Sequence, residues 1–134
     1  MTYSGAQQKP KVTADGYTEN DDYTVAYGEN KNAGTGTITV TGAGQYSGSN
    51  TWQFTIEQAV PVPSATLPLT YSLAKGMPVV AAVGIPLCDD GSYNWYDINL
   101  TWSEAGTYTT QIIYHPYDET NYKQITYDVS VEVY

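Results

Sequence analysis

The side chains that most often carry out chemistry in proteins are scarce in this chain. It has one cysteine, Cys88, and one histidine, His115. A cysteine and a histidine can form a nucleophile and its base, but these two lie outside any recognisable catalytic motif. They also cannot supply the four ligands of a structural zinc site. We therefore predict no catalytic residues, no cofactor and no enzymatic activity.

Carboxylates offer a second kind of chemistry, because their oxygens bind Ca²⁺. Asp89, Asp90 and Asp97 lie around one predicted turn, and three further acids lie within residues 19–22. Neither group follows the spacing of a known calcium loop. The three aspartates are weak calcium candidates, and the alternative is that they are solvated turn residues.

Aromatic side chains in predicted loops offer a third possibility. Rings next to Asp and Asn can stack on sugars while the polar neighbours bind hydroxyl groups. The alternative is that the same rings pack in the core or pair across strands. The candidate ligand-binding residues, for a glycan or a host surface protein, are Tyr93, Trp95, Tyr96, Tyr114, Tyr117 and Tyr122.

The charge balance excludes some partners. The chain has five lysines, no arginine and fourteen acidic residues, which gives a net charge of −9. Nucleic-acid binding depends on Lys and Arg that neutralise phosphates, so we predict no nucleic-acid partner. An anionic membrane surface is disfavoured for the same reason. No apolar run is long enough to insert directly into a membrane, and the N-terminus MTYSGAQQ lacks the features of a signal peptide.

The pattern of side chains predicts an all-β chain with essentially no α-helix. Tyrosine, with 14 residues, and threonine suit pleated strands, and 12 glycines suit turns. Alternation of apolar and polar residues marks the strands, and no apolar spacing typical of a helix recurs. The predicted strands are residues 10–14, 23–27, 35–41, 50–56, 69–73, 78–83, 98–102, 107–114 and 125–133.

A weak duplication divides the chain. Ala-Gly-Thr opens an alternating strand at residues 33–35 and again at 105–107, and in both places a turn ending in tyrosine leads to a second alternating strand. The proline-rich stretch 58–68 suits an extended connector, because proline cannot donate to a sheet ladder. We predict modules at 1–58 and 59–134, the first of them either truncated at its N-terminus or completed by residues of the second.

The strand periodicity also predicts which side chains face inward. In the first module these are Val12, Tyr23, Val25, Tyr27, Ile38, Val40, Trp52, Phe54 and Ile56, and in the second they are Ile98, Leu100, Trp102, Val129, Val131 and Val133. His115-Pro116 is predicted to leave the ladder, because proline interrupts pairing. Residues 89–92 are predicted to form a turn.

The first module resembles a repeat found in surface proteins of Gram-positive gut bacteria. The residues that carry the resemblance are Tyr3-Ser4-Gly5, Lys9-Pro10-Lys11-Val12, Asp22 to Tyr27, Asn32 to Thr35, Gly42 to Gly48 and Phe54-Thr55-Ile56. From about residue 95 the second module is similar to bacterial immunoglobulin-like domains of the MBG type, through Ala105 to Tyr108, Tyr114 to Asp118 and Thr120-Asn121-Tyr122.

This resemblance implies two small immunoglobulin-like β-sandwich modules in tandem. It implies a non-catalytic structural, spacer or adhesion role in a larger secreted or cell-wall-associated protein, flanked by neighbouring repeats. We expect the signal and anchor to lie outside this fragment. Some Gram-positive surface domains contain a Lys–Asn isopeptide bond, for which Lys9 and Lys11 are the candidate donors in the first module.

Overall fold

The computed structural model describes residues 1–134, and the chain folds into β-structure with no α-helix. Contacts divide it into two compact units, unit 1 (Met1–Ala59) and unit 2 (Val60–Tyr134). The all-β prediction is confirmed. No helix in the structure is long and apolar enough to cross a membrane.

Unit 1 contains one antiparallel sheet of three strands in the order β1-β2-β3. The strands are β1 (Tyr23–Tyr27), β2 (Gly34–Gly42) and β3 (Ser49–Ile56). They form where alternation predicted them, because small or polar residues alternate with larger apolar ones along most of each strand. The register places Ile38 opposite Tyr27 on one side and Trp52 on the other.

The apolar face of this sheet is only partly covered. Tyr23, Ile38 and Ile56 are buried, as predicted. Trp52 is 53% exposed, so its predicted place in the core is wrong. The segment before β1 forms no strand at residues 10–14, and its Pro10 carbonyl accepts a bond from Tyr27 Oη at 2.8 Å. The other predicted core residues, which are half-buried, are Val12, Val25, Tyr27, Val40 and Phe54.

Unit 2 contains one mixed sheet of four strands in the order β4-β7-β6-β5. Strand β4 is parallel to β7, and the other pairs are antiparallel. A short 3₁₀ helix (Val79–Ala81) follows β4. The strands are β4 (Thr70–Leu73), β5 (Gly91–Trp95), β6 (Gly106–Pro116) and β7 (Ile125–Val133).

The core of unit 2 lies on one face of this sheet. Buried side chains from all four strands meet there, and Leu67, Val79 and Ala82 from the irregular segments pack against them. Val129, Val131 and Val133 are buried, as alternation predicted. The buried strand residues are Tyr71, Leu73, Tyr93, Trp95, Ile112, Tyr114, Val129, Val131 and Val133.

Two predicted strands of unit 2 do not form, and one observed strand was not predicted. Residues 78–83 form the 3₁₀ turn, with Pro78 making only an isolated bridge to Thr101. Residues 98–102 form no strand, and Ile98 is exposed. The third error is β5, because residues 91 and 92 were assigned to a turn and begin this strand instead.

Pro116 stays in the ladder as the last residue of β6, opposite Gly91. Its neighbour Tyr117 donates its N–H to Asp90 O at 3.0 Å, so backbone groups at position 116 point away from β5. On that side β7 begins only at Ile125, which pairs with Tyr114. The missing N–H of Pro116 therefore removes no ladder bond, and the prediction that it must leave the sheet is wrong.

Candidate functional site

Three of the six predicted ligand-binding aromatics form the core of unit 2. Tyr93 and Trp95 lie on β5, opposite Tyr114 and Ile112 of β6, and all four side chains are buried. The Tyr93 and Tyr114 ring centroids are 5.1 Å apart, and Trp95 packs edge-on against Tyr71 at the same distance. These rings stabilise the interior, and their faces are not available to a sugar.

The remaining three aromatics do not form one surface. Tyr96 follows the end of β5, whereas Tyr117 is held beside the start of β5 by its bond to Asp90. The length of β5 separates the two, which is about 17 Å for five residues. Tyr96 and Tyr117 are exposed, and Tyr122 is half-buried. The predicted site of six aromatic residues is therefore not assembled.

Asp90 is the centre of a hydrogen-bonded group at the start of β5. Its Oδ1 accepts a bond from Tyr114 Oη at 2.8 Å and from Ser64 N at 3.3 Å. The Tyr114 bond, more than the backbone bonds, lowers the pKa of the Asp90 carboxyl. Burial, together with the bond to Asp90, raises the pKa of the Tyr114 hydroxyl. The group ties the chain before β4 to strands β5 and β6.

The neighbouring Tyr93 hydroxyl makes a similar link. It donates to Ala65 O at 2.8 Å, and burial raises its pKa to about 12. Asp89 N donates to Ser64 Oγ at 3.0 Å. Residues 64 and 65 of the predicted connector are therefore fixed to unit 2 by these side chains.

The calcium candidates do not come together. Asp89 and Asp90 precede β5, and Asp97 follows it, so the strand, which is about 17 Å long, lies between them. Asp97 Oδ1 instead accepts a bond from Asn99 N at 3.0 Å, which stabilises a local turn. The structure contains no group of three His, Cys, Asp or Glu side chains that could hold a metal ion.

The other chemically active side chains are also apart. His115 lies on β6 between buried Tyr114 and Pro116, so it faces away from the core, and its Nδ1 is 3.0 Å from Gln124 Nε2. Cys88 packs against the core cluster. Lys9 and Lys11 are exposed, which contradicts the buried lysine that an isopeptide bond requires.

Unit 1 contains a surface hollow that was not predicted from the sequence. We call it the aromatic hollow; it has a volume of about 400 Å³, and its aromatic lining includes Tyr17, Tyr46 and Trp52. These rings are 50%, 40% and 53% exposed. Asp22 and Asn50 contribute a carboxylate and an amide to the same lining. The period of two predicted that Trp52 is buried. The available signal for exposed rings was that Tyr17 and Tyr46 lie next to glycine-containing turns, which are usually at the surface.

No protein-family model matches the chain, and no curated protein is significantly similar to it.

The aromatic residues of unit 2 and those of the aromatic hollow in unit 1 differ in whether a ligand can reach them. In unit 2 the hydroxyls of Tyr93 and Tyr114 are bonded to the Ala65 carbonyl and the Asp90 carboxylate, and they stabilise the fold. In unit 1 the exposed rings adjoin polar groups at a concave surface, which is the arrangement that binds small ligands.

Proposed function

We propose that the chain is a non-catalytic spacer or adhesion segment of a larger bacterial cell-surface or secreted protein. Its two units would be immunoglobulin-like repeats, located outside the cell or in the cell wall, with further repeats as neighbours. The path of the chain through unit 2 is the observation that carries this proposal.

The chain passes from one end of unit 2 to the other. Ser64 is bonded to Asp90, next to the end of the sheet where Gly91 pairs with Pro116. The chain leaves at the opposite end, where Val133 pairs with Gly106. The 11 residues of β6 span this interval, which is about 35 Å. A unit traversed end to end adds its length to a tandem array.

The parallel pairing of β4 with β7 also suits a segment under tension. Thr70 pairs with Ser130 and Leu73 with Val133. Tension applied through the two ends pulls these strands past each other, because they run in the same direction. The hydrogen bonds between them are then loaded together instead of one after another. This geometry supports a spacer that resists extension.

The duplicated hairpins support the repeat relationship. Ala-Gly-Thr begins β2 in unit 1 and β6 in unit 2, and each strand pairs antiparallel with the strand that follows it, β3 or β7. The sequence similarity between the two halves therefore corresponds to the same local structure. The alternative function, ligand binding by the six loop aromatics, is not proposed, because Tyr93, Trp95 and Tyr114 are buried.

Single-molecule stretching of the full chain between its termini tests the spacer role. Ser130 N donates to Leu69 O at 2.9 Å, so Ser130→Pro removes a bond between β7 and the residue that precedes β4. We expect this variant to unfold unit 2 at a clearly lower force than the wild type. Ser72→Pro is the control, since alternation along β4 turns the Ser72 N–H away from β7. Equal forces for all three proteins would contradict the proposal that this strand pair resists extension.

A further inference from the structure

The aromatic hollow lies on the face of the unit 1 sheet that elsewhere forms the core. Trp52 shares this face with Ile38, its cross-strand partner. Ile38 is buried, but more than half of the Trp52 surface reaches solvent. A large apolar ring exposed beside a concave surface is informative, whereas scattered exposed apolar residues are ordinary.

Two tyrosines complete an aromatic surface with fixed geometry. Tyr17 and Tyr46 pack edge to face, with ring centroids 5.3 Å apart and planes at 82°. The turn that carries Tyr46 is close to Gly42, where a Cβ atom would lie 2.8 Å from the Tyr46 carbonyl carbon. Gln45 Nε2 donates to Tyr46 Oη at 3.2 Å. Mutual packing of Tyr17 and Tyr46 restricts the side-chain motion of both rings, which lowers the entropy cost of binding at this side of the hollow.

Polar groups adjoin these rings. Asp22 is half-buried, and its Oδ2 accepts a bond from Thr18 N at 2.8 Å. A carboxylate has about four acceptor positions, so Asp22 can accept further bonds from a ligand. Asn50 supplies both donors and an acceptor, and Ser47 and Ser49 supply hydroxyl groups. This combination suits a ligand with an apolar face and several hydroxyls.

Size and charge narrow the ligand further. The volume of about 400 Å³ falls in the range of small-molecule sites. A stable protein–protein interface instead buries about 800 Å² of surface on each partner. The segment 14–22 that forms one side of the hollow contains four acids and no lysine. An anionic ligand would be repelled there.

We propose that the aromatic hollow binds one or two units of an uncharged saccharide, stacked on Trp52 and hydrogen-bonded to Asp22 and Asn50. The C–H groups on a sugar ring face complement the negative face of an aromatic ring. This activity is separate from the spacer role, which depends on unit 2. A spacer that fails the stretching test can still bind sugar through unit 1, and the reverse also holds.

Calorimetric titration of the full chain with neutral oligosaccharides of glucose, galactose, mannose and N-acetylglucosamine tests the proposal. Tryptophan fluorescence gives a second readout, because Trp52 is the most exposed of the three tryptophans, whereas Trp102 is half-buried and Trp95 is buried. We expect at least one neutral sugar to bind, and sialyllactose, which is anionic, to bind more weakly. Absence of binding for every neutral sugar at millimolar concentration would overturn the proposal.

Variants locate the site. Trp52→Ala should weaken binding by about tenfold or more, as for a central aromatic anchor, and Trp52→Phe should lose less. Tyr96→Ala is the matched control, since it removes an exposed ring from unit 2. Circular dichroism checks that each variant is folded. Unchanged affinity in both Trp52 variants, or preferential binding of a lysine-rich peptide to the same residues, would show that the hollow is not a saccharide site.

Discussion

Two buried tyrosine hydroxyls of unit 2 differ in their surroundings. Tyr114 Oη donates to Asp90 Oδ1 at 2.8 Å. Tyr71 Oη is buried and has no hydrogen-bond partner, and burial raises the pKa of this hydroxyl. A buried polar group without a partner costs free energy, whereas a bond to a charged group stabilises the fold. The same substitution should therefore have opposite effects at these two positions.

We expect Tyr71→Phe to raise the free energy of unfolding of unit 2, by about 1 kcal/mol, because it removes an unpaired hydroxyl. Tyr114→Phe should lower the same free energy, because the buried Tyr114 ring loses its bond to the Asp90 carboxylate. Urea denaturation of both variants and the wild type at pH 7 measures the two changes. Equal destabilisation by the two substitutions would contradict the difference in their hydrogen bonding.

The Asp90 bond also predicts a dependence on acid. Its carboxyl pKa is lower in the folded chain than in the unfolded chain, chiefly because of the bond from Tyr114. Its contribution to stability is therefore present above the unfolded pKa, which is about 4, and is lost as pH falls through the folded value. Denaturation between pH 6 and about 2 should show less loss for Asp90→Asn than for the wild type. If the stability of both proteins fell in parallel with pH, Asp90 would not be a cause of the acid sensitivity.

At the scale of strands, sequence predicted well where alternation was regular. β1 and β7 occur at the predicted residues, and β2 and β3 differ by one residue at their ends. β5 was missed because the Asp-Asp-Gly turn signal runs directly into it, and its buried rings resemble a loop cluster. Burial of Trp52 was misjudged because it depends on what covers the sheet face. That covering comes from residues distant in sequence, which periodicity does not report.

Strand β3 has one open edge, beyond a single parallel bridge between Thr2 and Glu57. The N–H of Glu57 donates to the Met1 carbonyl, and its C=O accepts from the Tyr3 N–H. Backbone groups alternate in direction along a strand, so the N–H and C=O of Gln53 also point to this edge. The backbone N–H and C=O of Asn50 point the other way, toward its partner Val40 in β2. Proline should therefore be tolerated at position 53 and not at position 50.

We expect Asn50→Pro to destabilise unit 1 by about 1–3 kcal/mol, because it removes a ladder bond to β2 and leaves its partner carbonyl unpaired. Gln53→Pro should cost much less, since its N–H faces solvent at the edge. Thermal unfolding followed by circular dichroism distinguishes the two variants, which carry the same new residue in the same strand. A larger loss for Gln53→Pro would mean that the β3 edge is paired in solution.

At the scale of the whole molecule, the two units differ in how much core they contain. Unit 2 has twelve buried residues in one cluster, whereas the buried hydrophobic side chains of unit 1 are Tyr23, Ile38 and Ile56. A unit of about 60 residues buries only about 60% of the surface of its unfolded chain and is marginal by size alone. Unit 1 should therefore be the less stable of the two.

Core truncations test this difference. Ile112→Ala removes a fully buried side chain from unit 2 and should lower its stability by about 2–5 kcal/mol. Ile38→Ala removes the central buried side chain of unit 1, where a loss of similar size is enough to unfold a marginal unit. Hydrogen exchange measured by mass spectrometry should show faster exchange in β5–β7 for the first variant, and loss of protection throughout β1–β3 for the second. Suppose instead that Ile112→Ala unfolded unit 2 and Ile38→Ala left unit 1 folded. The assignment of the weaker core to unit 1 would then be wrong, because the size of the buried cluster would not determine which unit unfolds more easily.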